Sequence, residues 1–121
     1  GHTGPFIQYT YVRTRSVLRR YEGKNFEQSQ HALHETERDL IILLHDYCVT
    51  LQRAADSDDV SIIAEYAYQV ARAYSKLWSE VKILNEEDEN LVAFRVALSR
   101  VTGEVLADAM SILGISMPER M

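Results

Sequence analysis

Cysteine, proline and glycine are scarce in this chain of 121 residues, and each scarcity excludes a class of structure. The single cysteine, Cys48, allows no disulfide within the chain, which excludes a disulfide framework and fits a reducing compartment. Because Cys48 lies among Leu44, Tyr47 and Leu51, we expect it to fill space in the core rather than to act as a nucleophile. Two prolines and five glycines leave long stretches without a residue that interrupts a helix.

Long apolar runs are also missing, since none approaches the roughly 18 residues that a membrane span requires. The first residues, Gly1-His2-Thr3-Gly4, contain neither an initiator Met nor a charged-then-apolar signal segment. We therefore expect a cytoplasmic piece of a longer protein with no membrane partner. The length suits one domain, residues 1–121, and 46% apolar residues are enough to build a core.

Apolar residues recur at spacings of three and four, whereas the period-two alternation of strands is absent. The pattern predicts an all-α helical bundle with helices at about 5–22, 29–47, 49–55, 60–84 and 91–113. Thr3 is expected to cap the first helix, an acidic or hydroxyl residue of 56–59 the fourth, and Gly114 to end the fifth. Gly103, inside the last helix, indicates a close helix crossing.

Charge is divided unevenly along the chain. Residues 1–24 carry five basic side chains and one acidic side chain, and the remainder carries eight basic and 17 acidic ones, for a net charge of −5. A basic front on an acidic body indicates a local anion-binding face. The alternative is that these basic side chains are simply solvated and pair with the acidic body.

A helical wheel at about 100° per residue divides the first helix into two faces. The face that we expect to be buried contains Phe6, Ile7, Thr10, Tyr11, Thr14, Val17, Leu18 and Tyr21. The opposite face contains Tyr9, Arg13, Arg15, Ser16, Arg19 and Arg20. Guanidinium groups fit phosphate oxygens and stack on bases, and an aromatic ring supports an unpaired base, so this face suits an RNA loop.

Both ends of the chain resemble arginyl-tRNA synthetases. Residues 4–13 read GPFIQYTYVR and residues 15–19 read RSVLR, close to the family pattern G-P-(aromatic)-L-Q-Y-A-H-A-R-x-x-S-(V/I)-L-R. Residues 113–121 read LGISMPERM, close to the family terminus L-G-I-x-x-P-E-R-M. Between them Tyr66, Ala71, Tyr74, Trp78 and residues 81–84 resemble a third family segment. The match covers nearly the whole chain in the family's order.

This resemblance implies the DALR-type helical anticodon-binding domain of a class I synthetase. The full enzyme would attach arginine to tRNA-Arg using ATP, with Mg, through an arginyl-adenylate on an upstream catalytic domain. Neither HIGH-like and KMSK-like signatures nor a Gly-rich phosphate cradle occur in this chain. We therefore expect the chain alone to be inactive, with no catalytic residue and no cofactor of its own. The expected partners are tRNA-Arg and the enzyme's own catalytic domain, and not DNA.

The resemblance also assigns tRNA-binding residues by position. Tyr9 and Arg13 match the Tyr and Arg of the family's Q-Y-x-x-x-R, on the face that meets the anticodon stem and loop. Trp78 stands where the family usually has a Tyr against an anticodon base, although core packing explains its place on an apolar stripe equally well. Met121 matches the terminal Met near the anticodon loop, and Arg120 can hold that tail or contact phosphate. Arg15, Ser16, Arg19 and Arg20 complete the expected set, with phosphate binding or plain solubility as the two roles for Arg15 and Arg19.

Parts of the sequence are also compatible with other functions. His31 and His34 share a helix face, but two neighbouring histidines without Glu-x-x-His pairs make a poor metal site, so no metal is expected. A helical domain that binds another protein through its acidic body is one alternative. The related domain of a cysteine or methionine synthetase is the other, and the P-E-R-M ending and G-P-F-I-Q-Y entry favour arginine.

Overall fold

The computed structural model describes residues 3–26 and 31–121, which form five α-helices and no strand. The helices are α1 (Thr3–Arg20), α2 (Glu35–His45), α3 (Tyr47–Ser57), α4 (Ser61–Glu80) and α5 (Glu89–Ile112). The predicted all-α bundle is thus confirmed. No helix in the described part of the chain is both long and apolar enough to cross a membrane.

Helix α4 lies at the centre of the bundle and packs against each of the other four helices. Its apolar stripe supplies the fully buried side chains Ala67, Val70, Ala71, Tyr74 and Leu77. Helix α1 packs on both α4 and α5, and α3 packs mainly on α4. The arrangement follows from the sequence, because amphipathic helices with short connections bury their stripes only against one another.

All five helix starts differ from the prediction, four of them by one or two residues and that of α2 by six. Helix α1 already begins at Thr3, so Thr3 is its first residue and not its cap. Helix α2 begins at Glu35, where the His34 ring nitrogen Nδ1 accepts the Thr36 N–H at 3.2 Å and the Glu37 carboxylate accepts the His34 N–H at 2.7 Å. The predicted start at residue 29 was too early, since residues 31–34 are not helical and residues 29 and 30 lie outside the described residues.

The ends around α4 differ from the prediction. The Asp59 carboxylate accepts the Ser61 N–H at 3.0 Å and the Ser61 hydroxyl at 2.6 Å, so the acidic turn binds the first residue of the helix. The N-cap position itself is Val60, which makes no side-chain cap bond, so the prediction that a residue of 56–59 is the cap was wrong. The Ser61 hydroxyl and N–H hold the pKa of Asp59 below its usual range. In addition, α4 ends at Glu80 rather than at residue 84, because Val81 is extended and the Lys82 carbonyl accepts a bond of 2.6 Å from Arg95.

Helix α5 ends at Ile112, and Gly114, which was predicted to end it, follows two residues later with a φ of +78° that L side chains rarely adopt. The Gly114 N–H donates to the Ser111 carbonyl and the Ile115 N–H to the Met110 carbonyl, each at 3.0 Å. These bonds redirect the chain, so that residues 115–121 run as a non-helical tail.

Cys48 does not fill the core. It is exposed on the outer side of α3, whose buried residues are Thr50 and Ala54. The expectation was wrong because α3 buries only a narrow stripe, and the apolar neighbours Tyr47 and Leu51 are themselves only half-buried.

Candidate RNA interface

The two predicted faces of α1 are present in the structure. Ile7, Thr10, Tyr11, Thr14 and Val17 are buried, and Phe6, Leu18 and Tyr21 are partly buried against the core. On the opposite side, Tyr9, Arg19 and Arg20 are exposed, while Arg13, Arg15 and Ser16 are half-buried. The helix therefore offers solvent a face that contains five of the six residues predicted for it, while the Arg15 side chain reaches towards α5.

Arg13 joins the outer face of α1 to the end of α4. Its guanidinium carbon Cζ lies 4.6 Å from the centre of the Tyr9 ring and 4.8 Å from the centre of the Trp78 ring. Tyr9 is one turn earlier on α1, and Trp78 lies in the last turn of α4. A guanidinium within about 6 Å of a ring centre is attracted by the ring's quadrupole, so the three side chains form one stack. We call Tyr9, Arg13 and Trp78 the stacked triad.

Trp78 has one side on the core and another on the surface. Its ring centre lies 6.4 Å from that of the fully buried Tyr74, and the side chain is half-buried overall. The two roles considered for Trp78, core packing and presentation of a ring, are therefore compatible in one side chain.

The C-terminal tail lies along the other side of α1. The Gln8 amide donates to the Ser116 carbonyl at 3.3 Å, and the Tyr11 hydroxyl donates to the Glu119 carboxylate at 3.4 Å. Arg19 donates to the Glu119 carbonyl at 3.2 Å and lies 3.8 Å from its carboxylate. Burial raises the pKa of Tyr11, nearby Arg15 opposes that effect, and Glu119 adds to it. This contact between α1 and residues 116–119 is called the tail clamp.

The tail clamp sets the position of the last two residues. Arg120 and Met121 follow directly after Glu119, and both are exposed, Met121 to 72%. On the helical wheel, Gln8 and Arg19 fall on one flank of the outer face, next to the buried Tyr11, and Arg13 falls on the other flank. The tail and Trp78 thus lie on opposite flanks of α1, with Tyr9 and Ser16 between them.

Arg15 is placed differently from the other three arginines of α1. Its guanidinium lies 5.0 Å from the centre of the Tyr11 ring and donates to the Arg100 carbonyl of α5 at 3.3 Å. A Cβ added at Gly103 would collide with this guanidinium and with the Thr14 hydroxyl. The close helix crossing expected at Gly103 is therefore present, and Arg15 occupies it.

Arg20, at the C-terminal end of α1, lines a small cavity of about 120 Å³ beside Trp78. The same cavity is bounded by Leu84 and Asn85 of the α4–α5 connection. The sequence did not single out Asn85 or Glu119. Asn85 lies in a loop with no diagnostic spacing, and Glu119 was noted only as a letter of the terminal motif.

Within residues 3–26 and 31–121, no group of three or more His, Cys, Asp or Glu side chains is placed to hold a metal ion. The chemistry available on the α1 face is that of guanidinium groups, aromatic rings and amides. Those are groups for binding anions and flat heterocycles.

The family model for the DALR anticodon binding domain matches residues 7–121. The arginine–tRNA ligase of Flavobacterium psychrophilum is 39% identical over 121 residues, and that of Phocaeicola vulgatus is 40% identical over 126 residues. Each alignment covers 100% of this chain and only 20% and 21% of the relative, so the chain spans about a fifth of the length of these ligases. The arginyl-tRNA synthetase of Thermus thermophilus superposes with a TM-score of 0.88 at 28% identity, over 100% of this chain and 21% of that one. In sequence and in fold, the chain belongs to the DALR anticodon-binding domain family and is homologous to one part of arginine–tRNA ligases.

Proposed function

We propose that this chain binds the anticodon stem-loop of tRNA-Arg through the outer face of α1, the end of α4 and the C-terminal tail. The observation that carries the proposal is the stacked triad, in which the Arg13 guanidinium lies 4.6 Å and 4.8 Å from the ring centres of Tyr9 and Trp78. The proposed binding set comprises Tyr9, Arg13, Arg15, Ser16, Arg19, Arg20, Trp78, Arg120 and Met121.

The triad suits an unpaired base for a physical reason. The Arg13 guanidinium lies over both rings and helps to hold them in place, and its N–H groups can donate to a base edge or a phosphate. A base can then stack on the exposed Tyr9, which is 47% accessible, or on the free part of the Trp78 indole. Stacking of a base on an aromatic side chain is worth roughly 1–3 kcal/mol. Since the rings are already ordered, little of that energy is lost to fixing them.

The remaining residues supply contacts to the RNA backbone. Arg19 and Arg20 are exposed on the two flanks of α1, where each can reach a phosphate. Ser16 lies between the flanks and can donate its hydroxyl. Arg15 acts mainly by fixing α1 to α5, given its bond to the Arg100 carbonyl. The tail clamp holds Arg120 and Met121 beside the same helix.

The genetic code is consistent with a rigid site that recognises one base. Every arginine codon has G at its middle position, so every arginine anticodon has C there. The first anticodon position varies and must be tolerated. Both requirements are met if the bases of the anticodon loop are unstacked and are each bound by stacking and by hydrogen bonds to the base edge.

We also propose that this chain works as one part of a cytoplasmic arginine–tRNA ligase. In that enzyme the remainder of the protein, about four fifths of the relatives' length, would carry the catalytic domain and its ATP and Mg. The present chain would position tRNA for that domain and would be inactive alone.

Replacement of Arg13 by Ala tests the proposal. Loss of the guanidinium frees both rings and removes a cation from the interface, so we expect affinity for a tRNA-Arg anticodon stem-loop to fall by about tenfold, which corresponds to about 1.4 kcal/mol. Binding is measured by titration at low salt through the fluorescence of Trp78, the only tryptophan of the chain.

The matched control is Arg53→Ala, which removes the same charge from α3, and it should bind as the unaltered chain does. A stem-loop whose middle anticodon base is changed should bind at least tenfold more weakly. Equal affinity of Arg13→Ala and Arg53→Ala, or of the two stem-loops, contradicts the proposal.

A further inference from the structure

A groove continues from Trp78 along the C-terminal end of α1. It begins with the cavity of about 120 Å³ beside the indole and opens into a second cavity of about 510 Å³. Arg20, Leu84 and Asn85 line both cavities, so the two form one continuous depression, which we call the Asn85 groove. The larger cavity is within the range of roughly 300–1,000 Å³ that is typical of small-ligand sites.

One wall of the groove is the turn that follows α1. The Tyr21 hydroxyl donates to the Lys24 carbonyl and closes this turn. The Tyr21 ring lies so close to Gly23 that an added Cβ would collide with it. The backbone of this wall is therefore held by the Tyr21 hydroxyl, and Lys24 lines the larger cavity with it.

The other wall is the connection between α4 and α5. Arg95 donates to the Lys82 carbonyl at 2.6 Å and lies 3.6 Å from the Glu86 carboxylate. Arg95 is itself held by the Glu37 carboxylate at 3.0 Å, and Glu37 is completely buried. A buried ion pair thus fixes the segment that carries Asn85, and the groove exists before any ligand arrives.

The lining of the groove favours a base over a phosphate. Leu84 and the buried Val92 and Ile83 give apolar surface for a flat ring. The carboxylates of Glu22, Glu86 and Glu89 also line the larger cavity and would repel an anion placed there. The exposed amide of Asn85 contains a donor and an acceptor side by side, as the edge of a base does. Arg20, present in both cavities, is placed where the backbone would pass from one base to the next.

We propose that the Asn85 groove is a second base pocket, which takes an unpaired base next to the one at the stacked triad, on the same RNA strand. Asn85 hydrogen-bonds the edge of this base, Leu84 and Val92 support its ring, and Arg20 contacts the intervening phosphate. Asn85 is then a specificity-determining residue that no motif of the sequence indicated. This inference rests on the proposed function, since the strand reaches the groove from the triad.

The test is a double-mutant cycle between Asn85 and single bases of the RNA. Affinities are measured for the unaltered chain, Asn85→Ala and Arg13→Ala, each with the tRNA-Arg anticodon stem-loop and with versions that lack one loop base at a time. We expect Asn85→Ala to weaken binding of the complete stem-loop about fivefold. For a stem-loop that lacks one particular base, Asn85→Ala and the unaltered chain should have equal affinities. In the loop, that base should lie next to the base whose removal makes the affinities of Arg13→Ala and the unaltered chain equal.

Gln52→Ala is the matched control, because it removes an exposed amide from α3 and should leave affinity unchanged. If Asn85→Ala and Gln52→Ala bind alike while Arg13→Ala binds weakly, the second pocket is refuted and the proposed function stands. If removal of the same single base abolishes the effects of both Asn85→Ala and Arg13→Ala on affinity, there is one pocket and the inference is again wrong. If the unaltered chain does not bind the stem-loop, both proposals fail together.

Discussion

The Arg13 guanidinium lies 4.6 Å from the centre of the Tyr9 ring and 4.8 Å from the centre of the Trp78 ring. The helical wheel placed Arg13 and Tyr9 on one face, since both belong to α1 and are four residues apart. Trp78 is far away in sequence, and only the packing of α1 against α4 brings it to the stack. The wheel also placed Arg15 on the outer face, but its long side chain reaches the Gly103 crossing, which residue spacing does not reveal.

Tyr74 is the residue whose titration should be visible in the stability of the bundle. Its side chain is fully buried, and burial raises the pKa of its phenol to about 12, with the Ser99 hydroxyl and nearby Arg13 and Arg15 opposing that effect. The Ser99 hydroxyl donates to the Arg95 carbonyl at 2.9 Å, so the Tyr74 hydroxyl, 2.8 Å away, donates to Ser99.

Below pH 10 the Tyr74 phenol is neutral in both states and the free energy of unfolding does not depend on it. Between pH 10 and about 12, tyrosine ionises in the unfolded chain and not in the fold, so stability falls, by about 2–3 kcal/mol from this residue. At pH 8 the free energy of unfolding of Tyr74→Phe should be about 1 kcal/mol lower than that of the unaltered chain. Between pH 8 and pH 11.5 the free energy of unfolding of Tyr74→Phe should then fall by less than that of the unaltered chain. Urea unfolding at both pH values measures the difference. An identical decline in both proteins would show that Tyr74 does not contribute.

Helix ends were predictable where one residue determines them. Gly114 was predictable because a glycine after an apolar stripe suits a left-handed conformation. The cap of α4 was not, because Val60 occupies that position and Asp59 binds Ser61 from one residue further out. The end of α4 was missed because residues 81–84 continue the apolar spacing, and Ile83 is buried although it is not helical. There the Arg95 side chain, which is distant in sequence, donates a hydrogen bond to the Lys82 carbonyl. No local pattern in the sequence predicts that bond.

The crossing of α1 and α5 depends on the absence of a side chain at Gly103. Gly103→Ala gains about 1 kcal/mol of helix propensity but forces Arg15 and Thr14 out of their positions. Overpacking of this kind costs about 1–3 kcal/mol, so we expect a net loss of stability in thermal unfolding. Gly4→Ala is the matched control, because nothing lies within 4 Å of the added Cβ and the change should not destabilise α1. If both variants melt at the same temperature, the crossing is looser than described.

At the scale of the whole molecule, one ion pair links separate parts of the chain. Glu37 of α2 is completely buried, accepts from Arg95 of α5 and from the His34 N–H, and lies 3.8 Å from His31. Acidic side chains on a helix are usually solvated, and the burial of Glu37 departs from that pattern. Charge alone does not tell an exposed carboxylate from one with a buried partner.

Removal of Glu37 should therefore affect the entire bundle. Glu37→Ala removes the carboxylate at 3.0 Å and leaves the buried Arg95 guanidinium only the partly exposed Glu86 carboxylate at 3.6 Å. Breaking a buried pair costs about 3–5 kcal/mol. Glu35→Ala, two residues earlier and exposed, should change stability by less than about 1 kcal/mol. Circular dichroism during urea unfolding compares the two. Equal midpoints would mean that the buried pair contributes nothing to folding.

The exposed position of Cys48 has a practical consequence for spectroscopy. As the chain's only thiol, it accepts a single maleimide dye without any cysteine having to be replaced. It lies on α3, which packs on α4 and not along the outer face of α1, so a label there leaves the stacked triad uncovered. Energy transfer from such a dye to a fluorophore on an oligonucleotide would measure how far the strand lies from a fixed point of the bundle.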